Sequence, residues 1–189
     1  MGGISWIGFK DASRAECLDM LGMSPALRNE RDPRFFLAEL PTGWTILFSQ
    51  DYAFASEKRL RSLSNGGAVL GLQASETVMC ATTTLFDHGR QVWRVDYDCE
   101  FGHPEVAGTP PAEYQAIYER LIAEQDASDI TDSEIDFIFE TPIELALAVT
   151  GFRHDRSEFD WGVPAFHALQ ASDAPRPGGL FAHLLGRRV

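Results

Sequence analysis

Apolar and polar positions along this chain change period several times, and each change marks an element. From Ile4 to Phe9 aromatic and β-branched residues alternate, which predicts a first strand. The next stretch, DASRAECLDMLGM, puts Ala15, Leu18 and Leu21 at helical spacing, with Asp11 placed as an N-cap and Gly22 where a C-terminal cap belongs. Between Ser24 and Pro41 the chain is polar and broken by Pro25, Pro33 and Pro41, so an irregular connection is expected. GWTILFSQ, from Gly43, is dense in β-favouring apolar residues and predicts a buried strand. Ser56 then caps a short helix through Leu60 and Leu63, Asn65-Gly66-Gly67 stops it, and Ala68 to Leu72 returns to a strand.

The block from Glu76 to Asp98 predicts two long strands around a turn at His88-Gly89. If Asp87 pairs with Arg90, then Thr84 faces Trp93, Thr82 faces Val95, Cys80 faces Tyr97 and Val78 faces Cys99, all on one mostly apolar face. The opposite face then carries Met79, Ala81, Thr83 and Leu85 against Val92, Arg94, Asp96 and Asp98.

A Gly/Pro-rich joint leads into the clearest helix, Pro111 to Gln125, where Tyr114, Ile117, Tyr118, Leu121 and Ile122 recur at i, i+3, i+4, i+7 and i+8. It should cover one face of the sheet. An acidic linker, Asp126 to Asp132, precedes a short strand from Ile135 to Glu140. Thr141, Pro142 and Glu144 then form a T-P-x-E helix start, the helix from Ile143 to Thr150 is apolar almost all round, and Gly151 ends it. The pattern implies one α+β domain, 1–155, with a largely antiparallel or mixed sheet of about six strands and helices packed mainly on one face. A C-terminal tail, 156–189, is part linker and suited to docking on its own body or on a neighbouring subunit.

Charge narrows the partners. Against 28 acidic residues there are 16 Lys and Arg, a net charge of −12. Phosphate backbones and anionic membranes are bound by clustered cations, so nucleic acid and membrane are not expected partners, whereas a basic protein is. The first residues carry no charged leader before an apolar core, and three widely spaced cysteines, Cys17, Cys80 and Cys99, suit free thiols in a reducing compartment. A cytoplasmic protein is the expectation.

One cluster stands out chemically. TGFRHDR brings Arg153, His154, Asp155 and Arg156 together directly after the apolar helix. Were this segment a strand, alternation would send His154 and Asp155 to opposite faces and deny the imidazole a local orienting carboxylate. The simpler expectation has Arg153 and Asp155 in surface or helix-end contacts and His154 half buried. Cys99 and His103, with Asp96, Asp98, Glu100 and Glu105 nearby, supply one metal-type pair where a zinc site needs three or four convergent ligands, so no metal is expected. There is no G-x-S-x-G, Walker, G-x-G-x-x-G or H-E-x-x-H motif, and no cofactor is expected.

Taken together, SWIGFK before a short capped helix, GWTILFS, the Trp93 hairpin and FIFETPIELALAVTGFRHD resemble a family of small bacterial proteins to which no activity is attached. The resemblance spans Ser5 to Asp155, rests on strand openings, caps and helix stops, and implies no site residues. Two functions therefore compete: a non-catalytic protein-binding module of the immunity or antitoxin kind, and a small enzyme using His154 on an anionic substrate held by Arg153 or Arg156.

Overall fold

Nine strands pair in one antiparallel sheet in this computed structural model, which describes residues 3–26, 33–129 and 135–171. The strands are β1 (Ile4–Lys10), β2 (Met23–Pro25), β3 (Phe35–Glu39), β4 (Trp44–Ser49), β5 (Val69–Ser75), β6 (Cys80–Asp87), β7 (Arg90–Asp98), β8 (Glu105–Gly108) and β9 (His167–Ala171). Their order across the sheet is β2-β9-β3-β4-β1-β5-β6-β7-β8. The α+β expectation holds, but the sheet is half as large again as the six strands expected. Two of the additions, β2 and β3, lie in the proline-broken stretch read as irregular. The apolar run FFLAE between Pro33 and Pro41 supplies β3, the prolines falling outside the ladder where their missing N–H costs nothing.

The segment after Asp155, expected to be a tail, re-enters the sheet. β9 inserts between β2 and β3, pairing Leu169 with both Pro25 and Phe35. Residues 172–189, where the pattern LFAHLLGRRV predicts a short terminal helix, lie outside the described residues.

Helices cover both faces rather than one, because the central strands alternate apolar residues to both sides. On one face Ile7, Phe9, Leu47 and Val69 meet Cys17 of α1 (Arg14–Leu21), Leu60 of α2 (Glu57–Leu63) and Phe54 of a short 3-10 turn. On the other, Trp6, Ile46, Leu72 and Val95 meet Ile143, Leu145 and Ala146 of α4 (Thr141–Thr150). α3 (Glu113–Asp129) packs on α4 as an outer layer, extending through part of the expected acidic linker.

Local chemistry explains several departures. α1 is capped by Ser13, whose Oγ accepts from Glu16 N–H while the Glu16 carboxylate accepts from Ser13 N–H; Asp11 stands outside with φ 52°. Ile135 to Glu140 is no strand: its last three residues form a 3-10 turn leading directly into α4. The Thr141 hydroxyl does not cap α4 but donates to the Ile138 carbonyl at 2.8 Å.

The β6–β7 hairpin turns at His88 (φ 46°) and Gly89 (φ 74°), the positive-φ pair that suits a two-residue hairpin loop. Asp87 faces Arg90 as expected, yet the register then shifts, so that Leu85 faces Trp93, Thr83 faces Val95 and Ala81 faces Tyr97. Val92 is the extra residue of a β-bulge. The shift gathers Ala81, Leu85, Trp93, Val95 and Tyr97 on the α4 face, and leaves Thr82, Thr84, Arg94 and Asp96 on the other. Two strands that look mismatched in strict alternation thus present one common apolar face.

Close approach of α2 to the sheet depends on Gly71 in β5. A Cβ there would stand 2.5 Å from Leu60 Cδ1 and 2.7 Å from Leu60 Cδ2. Gly71→Ala should therefore lower stability by about 1–3 kcal/mol through overpacking. Urea unfolding would show this as a lower midpoint, and the Gly71→Ala/Leu60→Ala double variant should lose less than the two single losses added together.

Candidate functional site

The end of α4 builds the site. Gly151 takes φ 77° and its N–H caps the Leu147 carbonyl at 2.7 Å, turning the chain sharply out of the helix. Two further carbonyls are satisfied from outside: Thr42 Oγ1 donates to Thr150 O at 2.7 Å, and Trp161 Nε1 donates to Gly151 O at 3.1 Å. Any side chain at 151 would be strained by that φ and would bring its Cβ within 2.7 Å of Thr42 Cγ2.

The reversal sends residues 152–156 into an irregular loop, not the strand expected of TGFRHDR. Strand alternation therefore does not govern the cluster. Arg153 and Asp155, two apart, bond directly, Nε to Oδ1 at 2.6 Å and Nη2 to Oδ2 at 2.9 Å. The same guanidinium reaches back along α4, donating from Nη1 to Glu144 Oε1 at 2.9 Å, while Nη2 stands 2.7 Å from Glu140 Oε2 as an ion contact without hydrogen-bond alignment. Glu144 also meets Arg120 of α3 at 3.2 Å, and Arg120 holds Glu124 at 2.6 Å. The Arg153 side chain is only 11% exposed, so its interactions are screened little by water.

Burial and charge act in opposition on these groups. Burial by itself would lower the Arg153 pKa, but Asp155, Glu140 and Glu144 together hold it above the ordinary arginine value. Burial pushes the Glu140 carboxyl up, against the pull of Arg153 and with the repulsion of Asp155 and Glu144. Asp155 is held low: burial favours its neutral form, and the Arg153 hydrogen bonds and charge overcome that.

His154 faces elsewhere. It lines a pocket of about 370 Å³ with Phe36, Phe48, Phe152, Phe166 and the exposed Arg156, and Ser157, Val163 and Pro164 complete the lining. Phe36 and Phe48 are cross-strand partners on β3 and β4, Phe152 and Phe166 are 5.6 Å apart centroid to centroid, and Phe152 also meets Trp6 edge-on at 5.4 Å. The pocket forms where the loop between α4 and β9 crosses this aromatic surface. His154 Nδ1 is buried with no hydrogen-bond partner among the described residues. An orphaned polar atom of that kind costs about 1–3 kcal/mol, so it is a feature that calls for a partner. Burial lowers the His154 pKa, the Arg153 charge acts in the same direction, and Asp155 and Glu76 oppose them in part, which leaves the imidazole neutral at pH 7.

The four residues singled out in the sequence thus share one loop but divide in role. Arg153 and Asp155 belong to a carboxylate-guanidinium lock; His154 and Arg156 line the pocket. Arg156 has no ion pair to its side chain among the described residues. Of the residues that complete the lock, the sequence pattern makes Glu140 the end of a strand and Glu144 part of a helix start, and it puts Phe36 in an irregular connection and Phe48 in a strand with no sign that they meet the loop. The apolar FFLAE run was the available signal. At the second candidate, Cys99 is exposed, its Sγ donating to Val78 O at 3.5 Å, and His103 Nδ1 lies 2.8 Å from Phe101 O; among the described residues no group of three His, Cys, Asp or Glu converges on a metal position.

Comparison with protein-family models, with curated proteins and with solved structures gave no match. Among the described residues no helix is long and apolar enough to cross a membrane.

Removing the Arg153 charge leaves partly buried carboxylates facing one another. Arg153→Met should lower stability by about 3 kcal/mol, the lower end for breaking a buried ion pair, and adding Glu140→Gln should return part of that loss in chemical unfolding. His154 sets a pH dependence. Its proton is held less tightly in the folded chain than in the unfolded one, so stability falls as pH drops through the ordinary histidine range near 6.5 and levels off below the depressed folded value. His154→Gln should flatten this part of the profile in urea unfolding followed from about pH 8 to about pH 5.

Proposed function

We propose that this protein is a non-catalytic binding module that acts by contacting another protein, attracted through its own negative charge. The observation that carries the reading is the commitment of Asp155 to Arg153. A histidine acting as general base needs its second ring nitrogen held by an orienting group, and here the adjacent carboxylate is withdrawn into the lock while Nδ1 has no partner. The Arg153 charge that would fix an anionic substrate in an enzyme is likewise taken up by three carboxylates. Using His154 as a base would require Asp155 to leave two charge-assisted hydrogen bonds, which disfavours the enzymatic alternative.

The net charge of −12 supports a basic partner, since complementary fields speed encounter and favour the oppositely charged protein over others. An immunity- or antitoxin-like role is the concrete form of such an interaction. Immobilised protein should retain from a cell extract a partner of high isoelectric point, and the dissociation constant for the purified pair should rise steeply between about 50 and about 500 mM salt. Absence of such a partner, or an affinity indifferent to salt, would remove the reading.

A further inference from the structure

We propose that the free edge of β8 is where this protein takes its partner, by adding to the sheet an extended segment of a basic protein that places Lys or Arg opposite Glu105 and an apolar residue opposite Val106. The proposal rests on the binding-module reading and gives it a place on the surface.

The edge follows from the strand order. β8 ends the sheet, so the backbone N–H and C=O groups that it turns outward have no strand to bond among the described residues, and all four of its residues are exposed. The opposite edge is poorer: β2 is three residues long and finishes on Pro25, which has no N–H to offer. Edge strands are commonly protected by a lysine or a proline within them, and β8, Glu-Val-Ala-Gly, has neither. Pro104 and Pro110 bracket it, which confines an added strand to this short stretch.

The side chains around the edge set the chemistry of the partner. Four of the seven large apolar side chains exposed among the described residues gather here: Val106 on β8, Val92 on β7, and Phe101 and Val78 in the turns at the end where β7 gives way to β8. Val78 is tied to that end by Cys99, whose Sγ donates to Val78 O at 3.5 Å and whose N–H donates to Met79 O at 3.2 Å. Exposed apolar groups inside a charged rim make up the composition of a protein interface.

That rim is acidic. On the face away from α4, Glu105 stands directly opposite Asp96, and no other cross-strand pair among the described strands joins two like charges. Such a pair is repulsive. Asp96 is answered by Arg94 Nη2 at 2.8 Å, whereas Glu105 has no ion pair among the described residues. Beside them the small Ala107 leaves a hollow of about 380 Å³, lined by Arg94, Asp96, Glu105 and Val106. A cationic side chain on an added strand, opposite Glu105, reaches this hollow between the two carboxylates. The position opposite Ala107 lies near Arg94 and suits an uncharged residue. The residue between them turns to the other face, beside Val106 and Val95, and is therefore apolar. A second copy of this chain is a poorer occupant, because it brings the same acidic rim and the same net charge of −12.

The test titrates the full chain with a short capped peptide repeating lysine-valine-threonine-valine, followed by backbone amide resonances. The peptide should bind saturably, moving the amides from Glu105 to Gly108, and about tenfold more tightly than either its glutamate-for-lysine analogue or the same peptide methylated at every backbone nitrogen. Glu105→Lys, at an exposed edge position and relieving the like-charged pair, should leave the urea unfolding midpoint no lower and weaken lysine-peptide binding by about tenfold. Equal binding of the methylated peptide, shifts confined to other parts of the surface, or an affinity unaltered in Glu105→Lys would each overturn the assignment. A basic partner retained from extract equally by the unaltered chain and by Glu105→Lys would overturn the edge while leaving the wider reading in place; if no partner is retained and the peptide does not bind, both fall.

Discussion

The Arg153 guanidinium, held between one helix and its own loop, is the interaction on which the rest of this region depends. α4 is short, and the αL turn at Gly151 folds the following chain back beside it, so that one side chain can reach Glu144 in the first turn and Glu140 just before it. Three carboxylates around one cation would repel one another in water-poor surroundings without it. The planar fork donates to Glu144 from Nη1 and to Asp155 from Nε and Nη2, with Glu140 in ion contact at Nη2, which an ammonium could not do in the same geometry. The outer half of the network is of a different kind: Arg120 and Glu124 are each more than 40% exposed and contribute little on their own. It is the inner half that fixes where the loop leaves α4, and so where Phe152, His154 and Phe166 meet the sheet.

The sheet supplies the other constraint. β1 and β5 are buried on both faces, and their sequences run as nearly unbroken apolar stretches because each successive side chain enters one core or the other. Such strands are legible, as were α1, α2, α3, the Trp93 hairpin turn and the glycine stop of α4. What was not legible had weaker local signals. β2 and β8 are three or four residues long and exposed or half exposed, and β9 shows one fully buried residue, so their pairing is decided by partners distant in sequence. The bulge at Val92 could not be read from alternation, since one inserted residue reverses every pairing beyond it while leaving each strand's own pattern intact. Ile135, Phe137 and Phe139 alternate as a strand would, yet the segment ends in the 3-10 turn that holds Phe139, whose burial against α4 and Tyr97 outweighs the local period.

The candidate site was half visible. Arg153 to Arg156 stood out because charged residues follow a helix that is apolar all round, and their placement in one loop accords with that. Strand alternation would separate His154 from Asp155, but in the folded chain it is charge that does so, by turning Asp155 onto Arg153. The pocket could not be seen at all, because Phe36, Phe48 and Phe166 come from three strands or strand approaches whose convergence is a property of the sheet order β9-β3-β4.

These two features of the loop are linked. A carboxylate that oriented His154 would satisfy Nδ1 and raise the imidazole's affinity for a proton, making it a stronger base. Drawing Asp155 onto Arg153 does the reverse: it leaves the half-buried imidazole neutral, with Nδ1 unpartnered among the described residues. Because Asp155 is held by two hydrogen bonds within a lock that also grips α4, restoring it to His154 would mean loosening the helix end and the loop together. The course of the loop and the separation of Asp155 from the imidazole therefore have one cause, and the same guanidinium decides both.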